Sequence, residues 1–124
     1  MLDFDPLKCE YALHNASLYN VEDKIQMINK DFLKLSVDDI QYPANRTCKL
    51  DVVFMSPPWG GIGYNLLSEY KLDYLFPAFK EVVQKALEFS RNLVFFLPKN
   101  TSVDELIDYL IPFAAEFSED PNTR

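Results

Sequence analysis

Short apolar runs and amphipathic stretches take turns along this chain, and the alternation predicts strands and helices in turn. Leu2-Asp3-Phe4-Asp5-Pro6 reads as the last residues of a strand followed by a helix start, with Asp5 able to cap and Pro6 at the first helical position. Leu7, Tyr11, His14 or Asn15, and Leu18 then share one helical face, with Ala12, Ala16 and Tyr19 beside it. This predicts a helix to about Tyr19, with a stop at Asn20. Lys24-Ile25-Gln26-Met27-Ile28-Asn29 alternates weakly and reads as a second strand, ended by Lys30-Asp31-Phe32. Ser36-Val37-Asp38-Asp39 suits a short helical turn, and Tyr42-Pro43-Ala44-Asn45 a loop. Asp51-Val52-Val53-Phe54-Met55 is apolar and β-branched, the composition of a central strand covered on both faces. Residues 62–70 read as irregular surface, with Ser68, Glu69 and Tyr70 solvated, as is the acidic run near Asp38. Leu72, Leu75, Phe76, Phe79, Val82, Val83, Ala86 and Leu87 recur at helical spacing. Pro77 interrupts them, so the helix is expected to begin near it and run to about Ser90. Asn92-Leu93-Val94-Phe95-Phe96-Leu97 reads as a third buried strand, with Pro98-Lys99-Asn100 as its turn. Thr101 or Ser102 caps a last helix, Ser102 and Glu105 being spaced as a capping box, and Pro112 ends it after Leu110. The order strand, helix, strand, strand, helix, strand, helix is a parallel α/β pattern.

One stretch carries more than packing information. Directly after the apolar run at 51–55, Ser56-Pro57-Pro58-Trp59 stops the strand. Two consecutive prolines remove two backbone donors and fix two φ angles. Gly60 and Gly61 then let the chain turn where a Cβ would obstruct it. The result is a stiff loop with a hydroxyl at one end and a large aromatic at the other. It sits at the carboxyl end of a strand, the edge at which open α/β sheets bind ligands.

Composition narrows the setting. The 124 residues suit one small domain, and an apolar content of 48% supports a core. The net charge of −7 disfavours non-specific affinity for DNA or RNA, which needs basic surface against phosphates. Cys9 and Cys48 are the two cysteines, expected as reduced thiols, and with His14 they form no metal-ligand spacing. His14 has no nucleophile near it in sequence and reads as a surface or structural histidine. No apolar run approaches the ~18 residues of a transmembrane helix.

Ser56-Pro57-Pro58-Trp59 resembles the [Asp/Asn/Ser]-Pro-Pro-[Tyr/Phe/Trp] loop of methyltransferases that modify exocyclic amino groups of nucleobases. With Gly60 and Gly61 it resembles, more narrowly, the trimethylguanosine synthases, which methylate guanine N2 of 7-methylguanosine RNA caps. The resemblance implies S-adenosylmethionine as cofactor and a Rossmann-like class I methyltransferase fold, of which this chain forms the middle. It also implies a nuclear setting, in the nucleolus or nuclear bodies, with the cytoplasm as a second location, and capped RNA of the small nuclear or nucleolar class as partner. Protein partners would act through regions outside the chain, and neither DNA nor a membrane is expected. Ser56 Oγ and the Pro57 carbonyl would accept the two N2–H bonds, localising a lone pair that is otherwise delocalised into the ring. Trp59, with Pro58 beside it, would stack on the cationic 7-methylguanine, adding a cation–π term of ~0.5–2 kcal/mol. Lys99 and Asn100, in the turn after the 92–97 run, match a basic-Asn pair that contacts cap phosphates. Asp3 matches the carboxylate that holds the cofactor ribose, and Asp31-Phe32 the acidic-aromatic pair at its adenine.

The sequence also departs from the family. Its first strand and glycine-rich turn, Asp-x-Phe-x-Gly-x-Gly-Gly-Asn, have no counterpart here, since the three glycines all lie within 60–63. The last strands are not identifiable after Pro112, and Ile62 stands where the family often has proline. The chain is therefore expected to be a single partial domain, whether a fragment or a reduced relative. The alternatives are an adenine-N6 or cytosine-N4 nucleic-acid methyltransferase, and a catalytically incomplete remnant that acts as a binding module.

Overall fold

A computed structural model describes residues 1–43 and 50–118, the side chains of Ile62 and of residues 115–118 excepted. Cys48, and Ala44 and Asn45 of the expected loop, lie outside the described residues. The elements follow the predicted order: β1 (Leu2–Asp3), α1 (Pro6–Leu18), β2 (Ile28–Asn29), β3 (Val53–Met55), α2 (Phe79–Leu87), β4 (Leu93–Phe95) and α3 (Val103–Ser118). This is a small α/β fold with short sheets, β1 beside β2 and β3 beside β4. The chain divides into two compact units, one of Met1–Val53 with Gln84–Asn92, the other of Phe54–Val83 with Leu93–Arg124.

In the first unit, β1 and β2 are parallel, with Leu2 opposite Ile28 and Asp3 opposite Asn29. Asp5 caps α1 as its side chain suggests, accepting the Leu7 N–H at 2.9 Å, and Pro6 opens the helix. Asn20 adopts the left-handed conformation at φ 53°, which ends the helix as expected, while the Val21 N–H returns to the Ala16 carbonyl. The packing face of α1 is not the expected one. Leu7, Tyr11, Leu18 and Tyr19 are all more than half exposed, whereas Cys9 and Ala16 are buried. Small side chains let the helix approach the strands closely, near enough for Cys9 Sγ to donate to the Asp3 carbonyl at 3.4 Å. Long apolar side chains on that face would hold it away.

The second strand is shorter than its alternation suggested. Glu22–Lys24 forms a 3₁₀ turn and only Ile28–Asn29 pairs. The turn at Val37–Asp39 is present with a complete capping box: Ser36 Oγ accepts from the Asp38 N–H, and Asp39 Oδ2 accepts from the Ser36 N–H at 2.7 Å. Asp39 is not merely solvated, because the same oxygen accepts from Lys30 Nζ at 2.7 Å. The Lys30 hydrogen bond, followed by the Ser36 N–H, holds the Asp39 carboxyl below its ordinary value.

Between β3 and β4, the Val53 N–H donates to the Asn92 carbonyl and the Phe96 N–H to the Met55 carbonyl. These bonds advance in the same sense along both segments, as in a parallel ladder. Neither strand is covered on both faces, which corrects the expectation from composition. Met55 is buried while Phe54 is 65% exposed, and Val94 and Phe96 are also exposed. Each sheet has two strands among the described residues, and one face of β4 takes the apolar cover: Phe95 lies 4.9 Å, ring to ring, from Phe79 of α2. The helix runs Phe79–Leu87, inside the predicted span. Phe79, Val82, Val83 and Ala86 are buried as its periodicity requires, but Phe76, on the same spacing, is 84% exposed. The chain ahead of α2 forms a separate 3₁₀ turn, Leu72–Tyr74, so the helical period does not extend to Phe76.

Two further expectations are corrected in the second unit. Helix α3 does not end at Pro112 but runs through it to Ser118. The ring costs one hydrogen bond, and the buried Phe113 just beyond it keeps the helix going. The Ser102–Glu105 box is only half formed: the Glu105 N–H donates to Ser102 Oγ at 3.4 Å, while Glu105 Oε2 accepts from the Leu72 N–H. Tyr70 is core rather than surface, at 1% exposure, edge-on to Tyr74, and burial raises its phenol above the ordinary value.

Candidate functional site

In the second unit the loop after β3 builds one wall of a cleft of about 420 Å³, lined by Trp59, Tyr64, Asn65, Phe96, Leu97 and Lys99. The sequence explains the loop's shape. Pro57 and Pro58 carry the backbone out of the sheet, and Gly60 and Gly61 turn it at φ 82° and 86°, values that L side chains rarely adopt. A Cβ at either glycine would meet nothing within 4 Å, so backbone conformation, not space, demands glycine here. Trp59 is fixed by its indole N–H, which donates to the Phe96 carbonyl at 3.2 Å. Its ring lies 5.2 Å from Phe96 at 37°, and 5.1 Å from Tyr64, which stands edge-on at 83°. The half-buried indole thus forms part of an aromatic recess. Lys99, exposed, is the only cationic residue lining it among the described residues. The Ser56 hydroxyl is exposed and makes no hydrogen bond with the described residues. A second hollow, of about 300 Å³ and lined by Lys80, Asp108, Tyr109, Pro112 and Phe113, contains no group from this loop.

In the first unit, Asp3 ends β1 and Asp31-Phe32 follows the end of the neighbouring β2, where the Lys30 N–H donates to the Asp3 carbonyl at 3.1 Å. Asp3 Oδ1 accepts the Asp5 N–H at 2.9 Å, which turns the carboxylate over the strand end. Asp31 Oδ1 accepts the Leu33 N–H at 3.0 Å, and its Oδ2 lies 4.0 Å from Lys34 Nζ. Each carboxylate offers about four lone-pair sites, so both keep acceptor capacity. A ribose diol and an adenine amino group present donors, and half-buried Phe32 offers an apolar surface beside them. The residues present therefore fit the adenosine part of S-adenosylmethionine. Among the described residues, no cluster of His, Cys, Asp and Glu is suited to a metal ion. No helix of the described residues is long and apolar enough to cross a membrane.

A family described as RNA cap guanine-N2 methyltransferase matches residues 1–118. The chain belongs to this family. It is 34% identical over 110 residues to the trimethylguanosine synthase of Schizosaccharomyces pombe, a match that covers 87% of this chain and 44% of that protein. It is 33% identical over 94 residues to the trimethylguanosine synthase of Saccharomyces cerevisiae, covering 74% of this chain and 29% of that protein. An uncharacterised protein of Acanthamoeba polyphaga mimivirus is 28% identical over 113 residues. The chain thus spans less than half the length of the curated relatives it matches. The cap guanine-N2 methyltransferases are enzymes, and methylation by this class uses S-adenosylmethionine.

Of the residues the family resemblance singled out, Trp59 and Lys99 come together in the cleft. Ser56, Pro57 and Pro58 form the loop leading to it without lining it. Asn100 does not line it either: its Nδ2 donates to the carbonyls of Tyr64 and Leu67, behind the wall. Sequence reasoning missed Tyr64, Asn65, Phe96 and Leu97. For Phe96 a signal was present, since strict alternation sends Val94 and Phe96 to the face opposite Leu93 and Phe95. For Tyr64 none was, because its approach to Trp59 depends on the course of the chain through Gly60 and Gly61.

Proposed function

We propose that this chain supplies the base-recognition loop, and part of the cofactor site, of a methyltransferase acting on guanine N2 of 7-methylguanosine-capped RNA in the nucleus. Its fold is then the middle of a Rossmann-like class I methyltransferase domain. The observation that carries this reading is Trp59. It follows Ser56-Pro57-Pro58 at the end of β3 and is clamped by its indole N–H to Phe96, in an aromatic recess that Lys99 also lines. A flat cationic base suits a π face, and an exposed lysine suits the phosphates that follow it.

S-adenosylmethionine supplies an electrophilic methyl group when bound. Asp3 would hold the ribose and Asp31 the adenine amino group, with Phe32 offering an apolar surface to the ring. Ser56 Oγ and the Pro57 carbonyl accept from the guanine amino group, which localises its lone pair and aims it. Ser56 is no strong base, and none is required when the proton leaves after attack. The gain is positioning and electrostatics. Trp59 and Pro58 set the plane of the base, and Lys99 anchors the phosphates.

The test is calorimetric titration of the full-length protein with 7-methylguanosine triphosphate and with GTP. The wild type should prefer the methylated nucleotide by roughly 2- to 30-fold, the range of one cation–π contact. Trp59→Phe should keep part of that preference and Trp59→Ala none. Equal affinity of wild type and Trp59→Ala for the methylated nucleotide sinks the proposal.

A further inference from the structure

We infer that Asn100 is a positioning residue that sets the aromatic recess, rather than a group that meets the RNA. The inference rests on the cap-binding reading of the cleft, and it stands on how the side chain is used. Both amide hydrogens are committed: Nδ2 donates to the Tyr64 carbonyl at 3.1 Å and to the Leu67 carbonyl at 2.9 Å. Two facing carbonyls fix the orientation of the amide, because the flipped form would set oxygen against oxygen. Oδ1 is buried and has no partner among the described residues, so it is not offered to a ligand.

The two carbonyls bracket the C-terminal end of the 3₁₀ turn Ile62–Leu66, which is itself closed by the Leu67 N–H on the Tyr64 carbonyl. The Asn100 backbone adds a third tie, its carbonyl accepting from the Tyr70 N–H at 2.8 Å. The segment from Tyr64 to Tyr70 is therefore stapled to the turn after β4. Tyr64 is the residue whose ring meets the Trp59 edge at 83°. The two walls have separate anchors: Trp59 hangs on the Phe96 carbonyl, and Tyr64 hangs on Asn100. Lys99, the neighbour of that anchor, lines the same cleft.

Asn100→Asp is nearly the same size and reverses the chemistry. It places an acceptor against two carbonyls and a charge where the buried Oδ1 is already unpaired, an unfavourable combination even at a half-buried residue. Trp59 is the single tryptophan of the chain, so its fluorescence in this chain reads the recess without a ligand. We expect Asn100→Asp and the uncharged Asn100→Ala to shift Trp59 emission and raise its quenching by acrylamide. Affinity for 7-methylguanosine triphosphate, measured on the full-length protein, should fall by roughly tenfold, as for the loss of two hydrogen bonds. Affinity for S-adenosylmethionine should be unchanged. Tyr64→Ala should produce the same quenching change, and adding Asn100→Ala to it should produce little more.

Should Asn100→Asp fail to fold, the alanine variant carries the test. Unchanged quenching in Asn100→Ala, or full additivity with Tyr64→Ala, overturns the inference. So does loss of cap affinity with an unmoved Trp59 signal, because Asn100 would then touch the ligand directly. If the wild type itself does not bind the cap nucleotide, the function proposed above fails. The quenching comparison then still decides whether Asn100 holds the wall.

Discussion

Asp39 shows how much one side chain can organise. A single carboxylate oxygen takes the Ser36 N–H and the Lys30 ammonium, both at 2.7 Å, and so ties the Val37–Asp39 turn to the residue beside Asp31. These donors hold the folded-state pKa below the unfolded one. A depressed carboxyl contributes stability that is present above the unfolded value, about 3.9, and is lost as pH falls through the folded value. Asp39→Asn should therefore melt slightly below the wild type at pH 7, with the gap closing below about pH 4. The partly exposed position keeps the effect small. Thermal melts of both proteins between pH 3 and 7 check it, and a gap that widens on acidification contradicts the assignment. Asp5 and Ser36 were legible in the sequence because a cap acts on its own neighbours. Tyr70 was not, since its burial comes from the backbone around Asn100 and Thr101, some thirty positions on.

At the scale of elements, order and type were legible, whereas extent and facing were not. The strands and helices come in the predicted sequence because periodicity and punctuation are local signals. Which face packs is decided by the neighbour. Helix α1 turns Cys9 and Ala16 inward because its strands lie close, and it leaves its larger apolar residues in solvent. Helix α3 is the clearest case of local rule against tertiary contact. Pro112 predicts a stop, yet the helix continues to Ser118, with Phe113 buried just past the ring. Pro112 occupies a helix interior at a cost, so Pro112→Ala should restore the hydrogen bond to the Asp108 carbonyl. The gain should be roughly 1–3 kcal/mol, below the full intrinsic penalty because the backbone has already adjusted. Denaturant midpoints of the two proteins measure it, and a destabilised alanine variant would mean that the ring itself is needed where it lines its hollow.

For the whole molecule, charge is the informative quantity. A net charge of −7 opposes the phosphate backbone everywhere except where a cation is placed, and the cleft has Lys99. On the cap-binding function proposed above, recognition should therefore reside in the cap and not in the length of RNA behind it. For this 124-residue chain, a capped 20-mer should bind within about threefold of a cap dinucleotide, with a shallow salt dependence. Fluorescence titration at two salt concentrations tests this, and a gain above about tenfold with length would reveal a basic track that the net charge conceals. The family was legible because its signature is six consecutive residues, 56–61. The recess was legible only in part: alternation marks the outward face of Phe96, but only the fold brings Tyr64 and Phe96 to Trp59.

Gly61 has φ 86° and ψ −167°, which is the mirror image of ordinary extended backbone. Nothing crowds the place where its side chain would be, so what this turn selects is handedness. A natural alanine there has room and the wrong chirality. A D-alanine has the right one, and it would also narrow the conformations of the unfolded chain. If the protein is assembled from synthetic segments, the D-residue at 61 should leave Trp59 in its recess and the melting temperature equal or higher. The L-residue should loosen both. Two molecules identical in composition would then differ only in the sense of one stereocentre, and only one would keep its aromatic wall.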